Sequence, residues 1–486
     1  MTTRRLGTAL LGSALALAVL PGVAAADVTD AATAGKLPDS VAINSTWVML
    51  AGLLVIFMQA GFALLEIGFS RQKNAGTVVA KILTNFSIAA IAYWAIGFAL
   101  AFGNGKILGH TGFLLRDYGD PQKAFGIMGL SDATIETKWM FQFSFCAVSL
   151  AIVWGTTLER IKFGVYVIYA VIFAAFIYPI ASHWVFGGGW LQSSIGMQDF
   201  AGSTAVHMIG ATGALAVLLQ LGARRGKYGP DGKPRAIPGH NMPLFGLGIL
   251  ILWLGWFGFN PGSGLQAMDG RFPEIAMVTN LAAAAGVIAA VAVMYLKVKK
   301  IDIGMAGNGA IAALVAITAP SGYVELWAAP IIGAVAGVIV VLAVFAIDKY
   351  IDDPVGALSA HGLAGIWGTI SCGIFTAPRL ADYNAVGKAG LVYTGSFHQL
   401  LAQILGVASA FVFVFVLSFG TFWLIKKTYG LRVSAEEEDA GLDISEHGMY
   451  GYPEQFIPAP ELVGYGPASP AVPGRSPSAS TREVTA

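Results

Sequence analysis

The sequence predicts an all-α polytopic membrane protein. Of its 486 residues, 56% are hydrophobic and only 12% are charged, whereas a soluble domain carries about 25% charged residues. The 61 glycines fit closely packed transmembrane helices, because small residues let helix backbones approach one another. A formal net charge of +1 gives no support to a nucleic-acid partner. Composition therefore places the chain in a lipid bilayer.

Eleven apolar runs are each long enough to cross the bilayer core, which takes about 20 helical residues. If the first run starts outside, eleven crossings leave the C-terminus in the cytoplasm. Lysines and arginines are concentrated in the loops that this topology places inside, as the positive-inside rule requires. Arg71, Lys73 and Lys81 are assigned to the first inner loop, and a basic cluster occupies residues 224–235. The predicted spans are about 44–69, 78–103, 138–158, 163–182, 199–221, 241–260, 275–297, 303–320, 325–348, 355–377 and 397–425.

The two ends of the chain differ from this membrane domain. Residues 1–26 have the charged start, short apolar centre and A-x-A site of a signal peptide, although a first membrane helix is the alternative. After cleavage, the membrane domain covers residues 27–425, in the cell membrane with its N-terminus outside. Residues 426–452 are charged and form a cytoplasmic tail. Residues 453–486 are rich in Pro, Ser and Gly and are expected to be disordered.

Two histidines lie inside apolar, small-residue spans, and they are the first candidate functional residues. His207 ends the segment "DFAGSTAVH", and His361 lies in "DDPVGALSAHGLAGIWG". An ionisable group within a span costs roughly 2.5 kcal/mol or more in its charged form, so it marks function by default. His207 falls in span five and His361 in span ten, which run in opposite directions. The topology therefore predicts a 5+5 inverted repeat plus one helix, although the sequence similarity between the two histidine segments is weak.

Burial disfavours a charged imidazole, so both histidines are expected to be neutral, each with one donating and one accepting nitrogen. A facing pair would suit a small polar neutral molecule or a proton relay; the alternative is that both rings bond to backbone carbonyls. Asp199 is expected to cap its helix, and its charge could also stabilise an incoming cation. Cys146 and Cys372 lie in apolar runs as free thiols without metal-ligand spacing. No metal or cofactor is therefore expected.

Aromatic residues cluster at the outer ends of several spans. Phe145 lies in the third span, Trp184 and Phe186 in "HWVFGGGW", and Phe259 and Ser263 in "GWFGFNPGSG". Belts of aromatic residues at the membrane interface are the ordinary explanation. The functional alternative is a cation–π site for a small cation that must lose water. The Ser263 hydroxyl would add a hydrogen-bond acceptor to such a site.

These segments, with "LERIKFG" and the tail "GLRVSAEEEDAGLDISEHG", together closely resemble the ammonium transporter (Amt/MEP/Rh) family, in its bacterial Amt branch. The resemblance covers residues 41–452 approximately. It is specific because several motifs occur in the right order and topology, whereas any one alone would be weak. It implies a homotrimer of eleven-helix protomers, each with its own hydrophobic pore. The expected substrates are ammonium and methylammonium, and the chain is not expected to be an enzyme.

The resemblance assigns roles by motif. His207 and His361 look like the twin pore histidines, and Asp199 looks like the aspartate that supports the outer recognition site. Phe145 and Phe259 look like a stacked phenyl gate below that site. The implied mechanism is that ammonium loses its proton at or below the gate, after which ammonia crosses the lumen. Whether the proton travels separately, which would make transport electrogenic, is left open.

The outer recognition site is where the chain departs from the family pattern. Ser263 looks like the hydroxyl that contacts ammonium. Alignment on the glycine triplet puts Phe186 where the family usually has Trp, and phenylalanine offers a weaker cation face. Trp184, two residues earlier, is a candidate to compensate.

Residues 430–452 resemble the family's regulatory tail, which is associated with PII-type signalling proteins; a solvated tail is the simpler interpretation. Three other functions are open: a passive Rh-like channel for ammonia or carbon dioxide, an ammonium sensor, and an intramembrane metalloenzyme. The metalloenzyme is disfavoured because the sequence has no H-E-x-x-H or similar spacing.

Overall fold

The computed structural model describes residues 38–116 and 121–453. The predicted signal peptide and the C-terminal extension after residue 453 lie outside the described residues. Within the described ranges the chain is helical and forms no β-strand, only two isolated bridges, Ile161 to Arg432 and Tyr228 to Pro234. The predicted all-α class is therefore confirmed.

Eleven apolar helices form the body of the described chain. Ten are long and apolar enough to cross a membrane, and the eighth is a shorter apolar helix. Each predicted span corresponds to one of them. They are α1 (Asp39–Phe69), α2 (Gln72–Phe102), α3 (Ile135–Gly155), α4 (Phe163–Val185), α5 (Ser203–Leu221), α6 (Met242–Gly262), α7 (Phe272–Val298), α8 (Ile303–Thr318), α9 (Ala328–Ile347), α10 (Leu358–Phe375) and α11 (His398–Thr428).

Shorter helical segments connect and follow these helices. In the loops they are Phe113–Leu115, Pro121–Ala124, Gly126–Leu130, Leu191–Ile195, Pro378–Asn384 and Leu391–Thr394. Two further helices, α12 (Ala435–Ala440) and α13 (Leu442–His447), form the C-terminal tail. We call the end of the bundle that carries α12 and α13 the inner end, following the predicted orientation.

The assignment of Lys81 to an inner loop is wrong. Helix α2 begins at Gln72, so Lys81 lies more than two turns inside it and is 2% exposed. Its ammonium group donates to the carbonyl oxygen of Trp154 on α3, at 3.1 Å. The charge is held inside the bundle because it has a polar partner there.

Helices α3 and α8 form the centre of the bundle, and the other helices surround them. Helix α1 packs extensively against α6, and α7 packs against both α8 and α9. Helices α5 and α10 both pack against α11. Glycines permit the closest approach: a Cβ added to Gly248 on α6 would lie 2.7 Å from the carbonyl oxygen of Gly61 on α1. In a 5+5 repeat, α3 corresponds to α8 and α5 to α10. Corresponding helices therefore occupy corresponding places, in agreement with the predicted architecture.

A buried ion-pair network closes the inner end. Arg224 binds both carboxylate oxygens of Asp352, each at 2.9 Å, and its backbone N–H binds the same carboxylate. Arg160 is fully buried and donates to the Asp352 carbonyl oxygen at 2.8 Å. Burial alone would raise the pKa of Asp352, but the hydrogen bonds from Arg224 and the charges of Arg160 and Arg224 lower it to about 2. The carboxylate therefore stays ionised at physiological pH.

The tail folds back onto the inner end of the bundle. The Asp443 carboxylate accepts hydrogen bonds from the backbone N–H groups of Gly76 (2.9 Å) and Thr77 (2.8 Å), near the start of α2. The Asn74 side chain accepts from the N–H of Leu442 at 2.9 Å. These bonds satisfy backbone donors that a helix N-terminus otherwise leaves free.

The contact of Asp443 gives a testable prediction. In Asp443→Ala the N–H groups of Gly76 and Thr77 lose their acceptor, at a cost of about 0.5–2 kcal/mol, so cleavage in the tail should become about 2–30 times faster. Limited proteolysis of the purified protein with mass spectrometry measures this rate. Ser445→Ala, an exposed position on the same helix, is the control. Equal cleavage rates in both variants would show that Asp443 does not hold the tail.

Candidate functional site

The candidate site begins with the carboxylate of Asp199, which binds four successive backbone N–H groups. One oxygen accepts from Gly202 at 2.7 Å and Ser203 at 3.0 Å, and the other from Thr204 at 2.9 Å and Ala205 at 3.0 Å. These are the donors that the start of α5 leaves without intrahelical partners. Asp199 therefore organises the first turn of this helix, in line with its expected capping position.

A second carboxylate, that of Asp353, binds backbone N–H groups at the start of α10; this residue was not predicted from the sequence. Asp353 accepts from the N–H groups of Gly356 at 3.1 Å and Leu358 at 2.7 Å. The glycine has φ of +75°, and its counterpart Gly202 has φ of +119°, a conformation that glycine adopts without strain. Residues 199–207 and 353–361 share the spacing D-x-x-G-x-x-x-x-H. This shared pattern was the available signal for both the second cap and the repeat.

Both caps lead into an irregular first turn that carries a histidine. The turns Ser203–Met208 and Leu358–Leu363 are π-helical, a form that is uncommon and frequent at functional sites. His207 is 0% and His361 6% exposed. Their Nδ1 atoms lie 3.2 Å apart, and their ring centroids are 5.3 Å apart at an angle of 23°. The structure thus brings the two predicted histidines into direct contact.

The contact between the two Nδ1 atoms determines what the rings present elsewhere. In a neutral pair, one Nδ1 carries the hydrogen and the other accepts it. The donor ring then has a free lone pair at Nε2, and the acceptor ring has an N–H there. Nε2 of His207 has no hydrogen-bond partner within the described residues. The pair can therefore offer one donor and one acceptor to a small polar molecule.

A stack of aromatic rings continues from the histidines toward the outer end. Phe145 and Phe259 lie parallel, with centroids 4.1 Å apart at 8°. The Phe259 ring in turn lies 5.4 Å from His207. Trp256, which the sequence analysis did not single out, lies 5.2 Å from His207 and donates from Nε1 to Thr318 at 2.9 Å. The phenyl pair is buried and closes the approach to the histidines.

A cavity of about 800 Å³ opens above the phenyl pair. Phe145, Phe186, Asp199 and Ser263 all contribute to its lining. The Ser263 hydroxyl donates to the carbonyl oxygen of Phe259 at 2.8 Å. Since its hydrogen is committed to that carbonyl, its lone pairs remain available to a donor in the cavity. The site is therefore suited to a small ligand that carries N–H groups and positive charge.

The two aromatic candidates in "HWVFGGGW" point to different places. Phe186 is half-buried at the end of α4, and its ring tip would lie 3.3 Å from a Cβ on Gly202. Trp184 is not among the residues that line the cavity. Its indole N–H donates to the Ile107 carbonyl at 2.7 Å, and its ring lies 4.6 Å from Phe413 on α11. The expectation that Trp184 compensates at the outer site does not fit this position.

Cys146 and Cys372 are buried free thiols, as expected. Within the described ranges, no three His, Cys, Asp or Glu side chains lie together in a group that could hold a metal ion.

A helical bundle with polar groups enclosed along one line through its centre defines a multi-pass membrane transport protein. Residues 46–452 match the Ammonium Transporter Family model. The chain therefore belongs to the ammonium transporter family, and the assignment made from its motifs is confirmed.

Individual relatives support the same assignment. The chain is 43% identical over 462 residues to ammonium transporter Amt2 of Archaeoglobus fulgidus, covering 92% of this chain and 96% of that protein. It is 34% identical to an ammonium transporter of Bacillus subtilis, covering 85% and 99% of the two chains. Among solved structures it is similar to a sensor Amt protein, with a TM-score of 0.77 and 35% identity over 84% of this chain and 99% of that one. Mep2 of Candida albicans is similar with a TM-score of 0.76 and 29% identity, over 87% and 93%.

The cap at Asp199 generates a second prediction. In Asp199→Asn the amide nitrogen cannot accept, so two of the four N–H groups lose their partner. Each buried unsatisfied donor costs about 1–3 kcal/mol, so the melting temperature in detergent should fall clearly. Asp382→Asn, at an exposed position of the outer segment Pro378–Asn384, should change it little. Equal melting temperatures for Asp199→Asn and the parent protein would contradict this role of the carboxylate.

Proposed function

We propose that this protein transports ammonium across the cell membrane by recruiting ammonium, removing a proton and conducting ammonia. The observation that carries the proposal is the continuous order of groups from the outer cavity through the phenyl pair to the two histidines. Ring centroids along this line are 4.1, 5.4 and 5.3 Å apart. Each group suits a different step of that process.

Ammonium is recruited in the outer cavity. Its positive charge is attracted by the ring face of Phe186 and by the carboxylate of Asp199. Its N–H groups donate to the Ser263 hydroxyl oxygen, whose own hydrogen is bound to a carbonyl. Asp199 acts mainly through its field and through the backbone that it holds, because both of its oxygens already accept two N–H bonds each.

Selection takes place at Phe145 and Phe259. A bare ammonium or potassium ion between two buried phenyl rings would lose its hydration without compensation, at prohibitive cost. Ammonium can leave its proton behind and continue as neutral ammonia, whereas potassium cannot. Below the rings, His207 and His361 supply one hydrogen-bond donor and one acceptor, which is enough for ammonia.

The assembly and orientation belong to the same proposal. Residues 1–26 direct the N-terminus outside and are removed, the C-terminus stays in the cytoplasm, and three protomers associate, each with its own pore. The tail around α12 and α13 is the docking element for a PII-type regulatory protein. Its position on the inner end supports this, since a partner there would contact the bundle and the tail together. The protein acts as a transporter without a cofactor and is not an enzyme.

A passive ammonia or carbon dioxide channel is the main alternative. Currents recorded on addition of ammonium to reconstituted protein separate the two functions. Absence of current at every pH, with ammonia still crossing, would favour the passive channel. If the reconstituted protein moved neither ammonium nor ammonia, an ammonium sensor would be the remaining candidate function.

Removal of either pore histidine tests the assignment directly. His207→Ala or His361→Ala leaves the other Nδ1 buried without a partner and opens space for water beside the phenyl pair. We expect methylammonium uptake to fall roughly tenfold, the equivalent of about 1.4 kcal/mol, with weaker discrimination against potassium. His110→Ala, in an exposed outer loop, is the control. Unchanged uptake and discrimination in both pore variants would refute the assignment.

The outer aromatic position allows a gain-of-affinity test. A cation–π contact at an exposed site is worth about 0.5–1 kcal/mol and is strongest with Trp, so Phe186→Trp should lower the half-saturation concentration by up to about 2–5-fold. Uptake measured across ammonium concentrations gives this value. Phe176→Trp, on the exposed face of the same helix, should leave it unchanged. If half-saturation did not move in Phe186→Trp, the ring would not be in contact with the cation.

A further inference from the structure

A carboxylate without a partner is buried in the inner half of the bundle. Glu66 lies on α1, one turn before its inner end, and is 1% exposed. Neither of its carboxylate oxygens has a hydrogen-bond partner within the part of the chain that the structure describes. Buried carboxylates are normally paired or fully hydrogen-bonded, because burial of a bare charge is very costly. This position therefore needs an explanation beyond packing.

Lys81 is the charged neighbour of Glu66. It lies on α2, and its ammonium group donates to the Trp154 carbonyl on α3 instead of to the carboxylate. The two side chains interact electrostatically but do not approach within 4.0 Å as an ion pair. The carboxylate oxygens of Glu66 are therefore free to take a proton.

Further polar groups follow toward the middle of the bundle. Gln59 lies two helical turns from Glu66 on the same face of α1, and Asn85 lies one turn from Lys81 on α2. Both amide atoms of Gln59 and the Oδ1 atom of Asn85 are buried without partners in the described residues. Such groups are ordinarily satisfied by water. Lys81 and Asn85 both donate to carbonyl oxygens of α3, those of Trp154 and Ala147. We call these four polar side chains on α1 and α2 the polar row.

The row lies beside the inner approach to the histidines. Oε1 of Glu66 and a methyl group of Val355 are each 3.3 Å from the position that a Cβ would take on Gly155. Val355 belongs to the segment between Asp353 and the start of α10, which carries His361. The Glu66 carboxylate is therefore close to the inner part of the proposed ammonia route.

We propose that Glu66 is the group that carries the released proton through the inner half of this protein, along the row of Gln59, Asn85 and water, with Lys81 as a positioning residue. The inference rests on the proposed function, because it assumes that ammonium gives up a proton on the outer side. A proton from the mid-membrane water joins the carboxylate to form the carboxylic acid. The acid then releases that proton to inner water, which restores the carboxylate. One positive charge crosses for each ammonia molecule.

The other charged and titratable groups near the pair do not compete for this role. Tyr166 on α4 donates its hydroxyl hydrogen to the Lys81 carbonyl at 2.9 Å. Arg160, which acts on Lys81 electrostatically, is committed to the carbonyl oxygens of Gly222, Leu158 and Asp352. Glu159 is bound by Arg71, and Asp352 by Arg224. Glu66 is therefore the carboxylate of this region whose oxygens are free to exchange a proton.

The experiment compares charge movement with ammonia movement in proteoliposomes that contain the full chain. Ammonium-pulse current measures charge, and alkalinisation of a luminal pH dye under an ammonia gradient measures ammonia. In Glu66→Gln the current should fall about 10²-fold, the lower end of the effect of a positioned proton-transfer group, while ammonia entry persists. Glu66→Asp, which keeps the carboxylate, should recover part of the current and its dependence on pH. Glu136→Gln, near the outer start of α3, is the matched control.

Each outcome decides the question. Parent-level current in folded Glu66→Gln overturns the proposal, and so does a parent protein that passes ammonia without any current. A parent protein that passes neither overturns the proposed function itself. If Glu66→Gln does not fold, Gln59→Leu interrupts the same row with an apolar side chain of similar size and should lower current relative to ammonia entry. An unchanged ratio in Gln59→Leu would refute the proposed path.

Discussion

The centre of this molecule depends on backbone N–H groups that are bound by the carboxylates of Asp199 and Asp353. The two histidine-bearing helices, α5 and α10, both start inside the bundle, where water is not freely available and each unsatisfied donor is costly. A carboxylate eight residues before each histidine supplies the missing acceptors and fixes the irregular first turn. That turn sets the direction of His207 and His361, so their 3.2 Å contact follows from two caps at opposite ends of the bundle.

In the proposed function, the availability of polar partners also separates the route of neutral ammonia from that of the proton. The two imidazoles bind each other through their Nδ1 atoms, and the buried rings of Phe145 and Phe259 beside them carry no polar atom that could solvate an ion. Glu66 and Lys81, in contrast, retain polar atoms and charge without satisfying one another. A neutral molecule fits the first environment, and a proton on a carboxylate fits the second. In the proposed function, these two neighbouring environments of different polarity carry ammonia and the proton separately.

Composition and hydropathy were sufficient to predict the spans, because bilayer thickness imposes helix length. Isolated polar residues in apolar runs were sufficient to find His207 and Asp199. Side-chain direction was harder to predict. The side chains of two residues that are two positions apart on a helix point in directions about 200° apart. A small error in register therefore decides whether Phe186 or Trp184 faces the cavity. Lys81 was misassigned because a buried charge is recognisable only once its partners on other helices are known. Asp353 could have been found, since its spacing to His361 repeats that of Asp199 to His207.

The inner network connects the tail to the segments that follow α5 and precede α10, the two histidine-bearing helices. Glu438 binds the backbone N–H of Arg225 at 2.7 Å and the guanidinium of Arg432 at 2.6 Å. Arg432 also donates to the Ala223 carbonyl just after α5, at 2.7 Å. The neighbouring Arg224 holds Asp352, which directly precedes the cap of α10. Displacement of the tail would therefore remove contacts just after α5 and would act on α10 through Arg224 and Asp352, an ion pair that burial partly shields from salt.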